Sequence, residues 1–403
     1  MSESVYDELG VSEVINATGT KTRIGGSLIR PEAADAMREA ATGFARLSDL
    51  QTRASELIQE VTGSEAGYVC SGASACLTLA GAACIAGDDL ETMAALPNTD
   101  GVPDEVVIPR THRTGYDHAY RVAGATIVDV GTNDAHLGTG SENTELWEID
   151  AAITEDTAAI AYVQKAYTRP PLEDVVEVAH ERDVPVIVDA AAELPPVDNL
   201  ERFIDIGVDL VAFSGGKAIR GPQTTGILAG REDLIRSVAL QHLDMHAAEP
   251  AWDPPQELID VDDLAGVPRQ GIGRGMKVGK EELVGLIRAL ECFLEEDHDA
   301  RKAEWRARVD LLADRLGAVP ALSTQVTAAE KTAVAPELVV TVDEDAGTLS
   351  TATLVKELRR ETPRIFVGAD SLHRSQFTIN PMCLTDDEAA YVANRIRARL
   401  EDA

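Results

Sequence analysis

The sequence predicts an α/β fold: a large domain built on a mostly parallel sheet, followed by a smaller α+β C-terminal domain. Three observations predict it. From about residue 66, short β-branched runs alternate with Ala-rich helical stretches, which is the rhythm of a sheet covered by helices on both faces. The runs are mostly apolar, as strands buried on both sides are. A Pro- and acid-rich break, EPAWDPPQELIDVDD at 249–263, then separates this region from a helix-rich remainder. With 403 residues the chain has room for more than one core. The divisions read as an N-terminal arm and helix over 1–50, a large domain over 51–255 and a small domain over 256–403.

Taken in order, the arm carries one apolar strand-like patch at Val14-Ile15, then the glycine-punctuated loop TGTKTRIGGS at 18–27. Helical spacing begins near Pro31. Leu50, Ala54, Leu57, Ile58 and Val61 share one face over 48–62, and Gly63 ends that helix. A short strand is expected at 68–70, followed by an Ala-rich helix. Buried strands follow at 105–109, 125–131, 158–163, 184–190 and 208–214, with a helix at 172–182 among them. Beyond the break come helices at 280–296 and 303–316, a strand at 337–343 and a closing helix at 386–399.

Composition narrows the classes. Hydrophobic content of 44% with 26% charged residues excludes a disordered chain. Asp and Glu number 69 against 36 Lys and Arg, a formal charge of −33. The acids run along the whole chain, so the surface as a whole repels itself and calls for salt to screen it. This reads as a halophilic adaptation to a salty cytoplasm. Nucleic acid is disfavoured as a partner, because phosphate binding needs a basic face. The five cysteines, at 70, 76, 84, 292 and 383, show no CxxC spacing and read as buried small hydrophobes. MSESVYDELG lacks the apolar core of a signal peptide, and no run of 18 apolar residues occurs. The expectation is a cytoplasmic protein with no membrane contact.

Ligands of open α/β sheets bind at the carboxyl ends of the strands, so the chemistry is sought there. In FSGGKAIRGPQTTG (213–226) a strand ends at Phe213 and a Gly-Gly turn presents Lys217. In VPVIVDAAAELPP (184–196) a buried strand ends in Asp189. On its own Asp189 reads equally as the N-cap of the next helix. A strand-end Asp, one crossover and a strand-end Ser-x-x-Lys together fit a pyridoxal-phosphate enzyme: Lys217 forms the Schiff base and Asp189 pairs with the pyridinium nitrogen. Ser71, Gly72, Ala73 and Ser74 open the Ala-rich helix and could cradle a phosphate on its N-terminal N–H groups. Ser214, three residues before Lys217, is expected as an additional phosphate ligand. His112, just after the strand at 105–109, is the expected ring-stacking residue, with Tyr116 second. Arg23, Arg274 and Lys277 are cations suited to the anions of a substrate. His242 and His246 stand at i, i+4, but no third ligand accompanies them, so no metal is expected.

These stretches, with VINATGT (14–20), VTGSEAGYVCSGASA (61–75), MAALPNTDGVPDEVVIPRTHRTGYDHA (93–119) and GRGMKVGKEE (273–282), resemble the fold-type-I pyridoxal-phosphate enzymes of the selenocysteine synthase (L-seryl-tRNA selenium transferase)-like family. Within it they are most similar to the D-glucosaminate-6-phosphate ammonia-lyase branch. The selenium transferase proper carries an extra N-terminal tRNA-binding domain, whereas VINATGT stands here at residue 14. The resemblance implies the fold-type-I PLP-dependent transferase fold, pyridoxal 5'-phosphate bound at Lys217 and a homodimer or larger homo-oligomer with active sites at subunit interfaces. It also implies α,β-elimination on an amino-acid or sugar-acid substrate, a 2-amino-3-hydroxy acid that gives a 2-keto acid and ammonia. Its rivals are a tRNA-dependent transferase, a racemase or aminotransferase, and a catalytically silent scaffold.

Overall fold

A computed structural model of the chain describes residues 4–132, 144–243, 248–262, 264–327, 334–345 and 349–401. The chain forms two compact units, Ile29–Glu295, and Met1–Leu28 together with Glu296–Ala403. The strands in chain order are β1 (Val14–Ala17), β2 (Ala66–Cys70), β3 (Glu105–Pro109), β4 (Thr126–Val130), β5 (Thr157–Val163), β6 (Val186–Asp189), β7 (Leu210–Ser214), β8 (Gly226–Gly230), β9 (Leu322–Val326), β10 (Leu338–Val342), β11 (Arg364–Val367) and β12 (Gln376–Ile379).

The larger unit holds a seven-stranded sheet in the order β2-β8-β7-β6-β5-β3-β4. β8 runs antiparallel to both neighbours, and the remaining pairings are parallel. Both faces are buried over the inner strands, while the edge strand β4 leaves Thr126 and Asp129 exposed, and the side chains of each strand alternate between the faces. On β6, Ile187 joins the core under the helices Ala73–Ala86 and Glu232–His242. Val186 and Val188 join the core under Leu47–Thr62, Leu172–His180 and Lys280–Glu295. The helix Ala73–Ala86 is buried along almost its whole length. Its small side chains let it lie close on its neighbours: a Cβ on Gly81 would stand 3.2 Å from the Tyr120 ring.

Six of the seven strands occupy segments that the apolar runs predict. β8, sequence GILAG, was not predicted, because glycine has poor strand propensity. Its glycines answer to packing instead. A Cβ on Gly230 would stand 1.9 Å from the Asp209 carbonyl oxygen.

The smaller unit has an antiparallel sheet β12-β10-β9 and a parallel pair β1-β11. The helices His298–Gly317, Thr351–Leu358 and Asp386–Glu401 enclose its core. The unit boundary differs from the one read at 255. The helix Lys280–Glu295 buries Leu283, Leu286, Leu290 and Phe293 in the larger unit's core, so the division falls after Glu295. The arm is split as well. Residues up to Leu28 belong with the C-terminal segment, because β1 pairs with β11, while the helices Pro31–Ala40 and Leu47–Thr62 belong with the sheet.

Candidate active site at the carboxyl edge of the sheet

Strand register brings the predicted residues to one edge. Gly226 pairs with Cys70 on one side and Ser214 on the other. Asp189 pairs with Ala212 on one side and Val163 on the other. The Ser71–Ser74 turn, Ser214, Lys217 and Asp189 therefore follow the ends of β2, β7 and β6 at the same end of the sheet.

The Ser71–Ser74 turn is built by glycine. Gly72 has φ +105° and precedes the first helical residue, Ala73, with no side chain capping the helix start. A Cβ on Gly226 would lie 2.4 Å from the Gly72 carbonyl carbon and 2.5 Å from the Ala73 nitrogen. Glycine at 226 thus lets β8 run directly beneath the turn. A helix start with backbone N–H groups, no capping side chain and glycine on either side fits an anion such as a phosphate.

Lys217 sits in a closed loop. Gly215 N–H donates to Thr225 O (2.9 Å), Gly221 N–H to Gly215 O (2.9 Å) and Arg220 N–H to Lys217 O (3.1 Å). A Cβ on Gly215 would meet Thr225 Oγ1 at 2.2 Å, and one on Gly216 would meet Gln223 Cα at 2.5 Å. The loop is also tied from far upstream. The buried Arg30 donates through Nε to Ile219 O (2.8 Å) and through its backbone N–H to Arg220 O (2.9 Å).

Asp189 is half-buried and accepts the Ala191 N–H on Oδ1 at 3.0 Å. It is not a helix cap, since the next helix begins at Asn199. His112 is 1% exposed. Its Nδ1 accepts the Val163 N–H (3.4 Å), its Nε2 donates to Arg169 O (2.9 Å), and its ring meets Tyr162 edge-on at 4.5 Å. Burial pushes its pKa down to about 4, against the opposing pull of the Arg169 carbonyl. The imidazole is therefore a neutral, fixed plate beside the end of β5. Tyr116 stands 62% exposed on the following loop and has no such anchorage.

The cationic residues are distributed differently. Arg274 is half-buried within the turn Ile272–Met276 and Lys277 is exposed just beyond it. His242 docks that turn, with Nε2 donating to Met276 O (2.8 Å) and Nδ1 accepting from the Tyr68 hydroxyl (3.0 Å). His242 is thus a core tether, and His246 lies outside the described residues. Among the described residues no three His, Cys, Asp or Glu gather as a metal site. Arg23 belongs to the smaller unit, exposed on the turn Thr22–Ile24. Asn16 braces the loop around it by donating to Gly19 O (2.8 Å) and Gly26 O (3.1 Å).

Two residues on this edge escaped the sequence reading. Lys165, two residues past β5, forms a 2.6 Å ion pair with Glu193, four residues past β6. The available signal was a lysine directly after a buried strand in a lysine-poor chain.

The chain is similar to several known proteins. The family model for L-seryl-tRNA selenium transferase (SelA) matches residues 14–246. The D-glucosaminate-6-phosphate ammonia lyase of Salmonella typhimurium is 31% identical, with all of both chains aligned. A 5'-C-glycyluridine monooxygenase-decarboxylase from a Streptomyces species is also 31% identical, over 98% of this chain and 92% of the relative. A solved structure of D-glucosaminate-6-phosphate ammonia-lyase superimposes with a TM-score of 0.80 at 30% identity, covering both chains completely. The family match takes in every strand of the seven-stranded sheet and each loop at its carboxyl edge, and the chain accordingly belongs to the L-seryl-tRNA selenium transferase family.

Proposed function

We propose that the protein is a pyridoxal-5'-phosphate-dependent lyase that removes the hydroxyl and the amine from a 2-amino-3-hydroxy acid, giving a 2-keto acid and ammonia. D-glucosaminate 6-phosphate is the substrate of choice. The observation that carries the reading is the end-to-end likeness in sequence and fold to an ammonia lyase, joined to a strand-end lysine and aspartate on one sheet edge.

The bound cofactor supplies an electron sink for the substrate's α-carbon. Lys217 would hold the cofactor between turnovers and, once the substrate amine has displaced it, take the α-proton on Nζ. Asp189 would keep a proton on the pyridine nitrogen by its negative charge. The N–H groups at Ser71–Ser74 and the Ser214 hydroxyl would receive the phosphate, and the buried His112 would brace the end of β5 through its bonds to Val163 and Arg169 instead of stacking on the ring. Arg274 and Lys277, in the same unit as the sheet edge, would meet the substrate's carboxylate or phosphate. We further propose a homo-oligomer working in a salt-rich cytoplasm. The charge of −33 supports the second part, and the exposed aromatic side chains of Phe44, Trp147 and Tyr167 support the first. Among the described residues no helix is long and apolar enough to cross a membrane.

A second reading, an oxygen-dependent decarboxylation, is favoured by the equal identity to the glycyluridine enzyme. One assay separates the two. Purified holoenzyme is incubated with D-glucosaminate 6-phosphate in molar potassium chloride, and ammonia, keto acid, oxygen and carbon dioxide are followed together. The lyase releases ammonia and keto acid in equal amounts without oxygen uptake. Oxygen consumption with carbon dioxide release overturns that reading in favour of the second.

A further inference from the structure

We infer that the Lys165–Glu193 couple is the proton donor to the departing hydroxyl, an inference that rests on the lyase reading. The pair bridges the loops that follow β5 and β6, on either side of the Val163–Asp189 register pair. Its side chains are 28% and 10% exposed, so it is shielded yet not sealed. Both ends are fixed by backbone. Gln164 N–H donates to Asp189 O (3.0 Å), Lys165 N–H to Thr168 Oγ1 (3.2 Å), and Asn199 Nδ2 to Glu193 O (2.6 Å).

The reaction needs a donor here, because a hydroxyl leaves far more readily as water than as hydroxide. The neighbouring groups are committed. Both ring nitrogens of His112 are bonded to backbone. The Tyr162 hydroxyl donates to Pro170 O at 2.9 Å, and Tyr167 is 70% exposed. Arginine does not give up a proton. Lys217 has the α-proton to take. Among the described acid–base groups within four residues past the ends of β3, β5, β6 and β7, Lys165 with its carboxylate partner remains.

The balance is simple. The α-proton passes to Lys217 Nζ, and the electron pair of that C–H bond becomes the Cα=Cβ bond. The Cβ–O bond breaks with its pair on oxygen, which takes a proton from Lys165 Nζ and leaves as water. Lys165 regains a proton from solvent beside Glu193. Hydrolysis of the enamine then consumes one water and yields ammonia and the keto acid.

The test runs holoenzyme in D₂O with D-glucosaminate 6-phosphate, reading α-hydrogen exchange by NMR beside keto-acid release. Lys165→Met and Lys165→Arg are compared with wild type, and cofactor affinity is measured for each. Arginine can keep the ion pair but cannot donate, so it separates bracing from proton transfer. The expected result is keto-acid release reduced about a hundredfold or more in both variants, with α-exchange and cofactor affinity within about threefold of wild type. Full activity in Lys165→Arg, or exchange and release falling in parallel in both variants, overturns the role. A wild type that neither exchanges nor releases overturns the lyase reading itself, and the role with it.

Discussion

Gly226 and Gly72 are packed so closely that a single added carbon on Gly226 would stand 2.4 Å from the Gly72 carbonyl carbon. The sheet and the start of the helix Ala73–Ala86 meet at that point. Gly226→Ala must therefore push the Ser71–Ser74 turn outward. We expect cofactor affinity to fall about tenfold or more, corresponding to roughly 1.4 kcal/mol. Titration of apoenzyme, followed by the visible absorption of the bound cofactor, reads the change directly. Unaltered affinity would mean the turn does not hold the phosphate.

Lys217 and Asp189 should fail in different ways. Lys217→Ala loses both turnover and the visible absorption of the lysine-bound cofactor. Asp189→Asn keeps a covalently held cofactor but loses the charge beside the ring, and turnover drops about a hundredfold or more. Spectra and rates taken on the same samples decide it; retained turnover in Lys217→Ala would remove the proposed chemistry.

His112 makes the fold sensitive to acid. Its pKa falls from 6.5 to about 4 on folding because the ring is buried. Between those values the unfolded chain binds a proton that the folded chain refuses, so stability declines as pH drops through that window. The contribution amounts to about 3 kcal/mol by pH 4. His242 is shifted the same way, chiefly by burial. A His112→Phe variant, less stable at pH 7.5 through lost hydrogen bonds, should close the gap with wild type as pH approaches 4.5. Denaturant unfolding at the two pH values measures the gap, and a constant gap would contradict the shift.

The charge of −33 predicts a response to salt. Raising potassium chloride from 0.1 to 1 M shortens the screening length from about 10 Å to about 3 Å. The melting temperature should rise by about 5 °C or more as self-repulsion is damped. Sucrose at matched osmolality, which leaves charge unscreened, serves as the control; an equal rise there would assign the effect to solvent exclusion.

Much of this was legible in the chain. Strands such as β6 and β7 announced themselves because burial on both faces demands continuous apolar residues, and Asp189 and Lys217 stood out at their ends. β8 was hidden because Gly226 and Gly230 serve close approach rather than strand propensity. The Lys165–Glu193 pair was hidden because its partners are 28 residues apart and meet only through the β5–β6 register. The unit boundary was misplaced because a proline-rich stretch resembles a linker. Whether a helix crosses back to an earlier core depends on Leu283, Leu286 and Phe293 finding their neighbours, which local composition does not record.

The pairing of β1 with β11 has a consequence for synthesis on the ribosome. Val14–Ala17 leaves the exit tunnel more than three hundred residues ahead of its partner, Arg364–Val367. At roughly 5–20 residues per second, that is a wait of about 15 to 70 seconds. Meanwhile Ile29–Glu295 has all its strands in hand and can close its own sheet. The nascent chain would therefore carry a folded body with a short apolar strand trailing free, a natural handle for a chaperone. Truncation ahead of residue 364 should leave that handle permanently exposed.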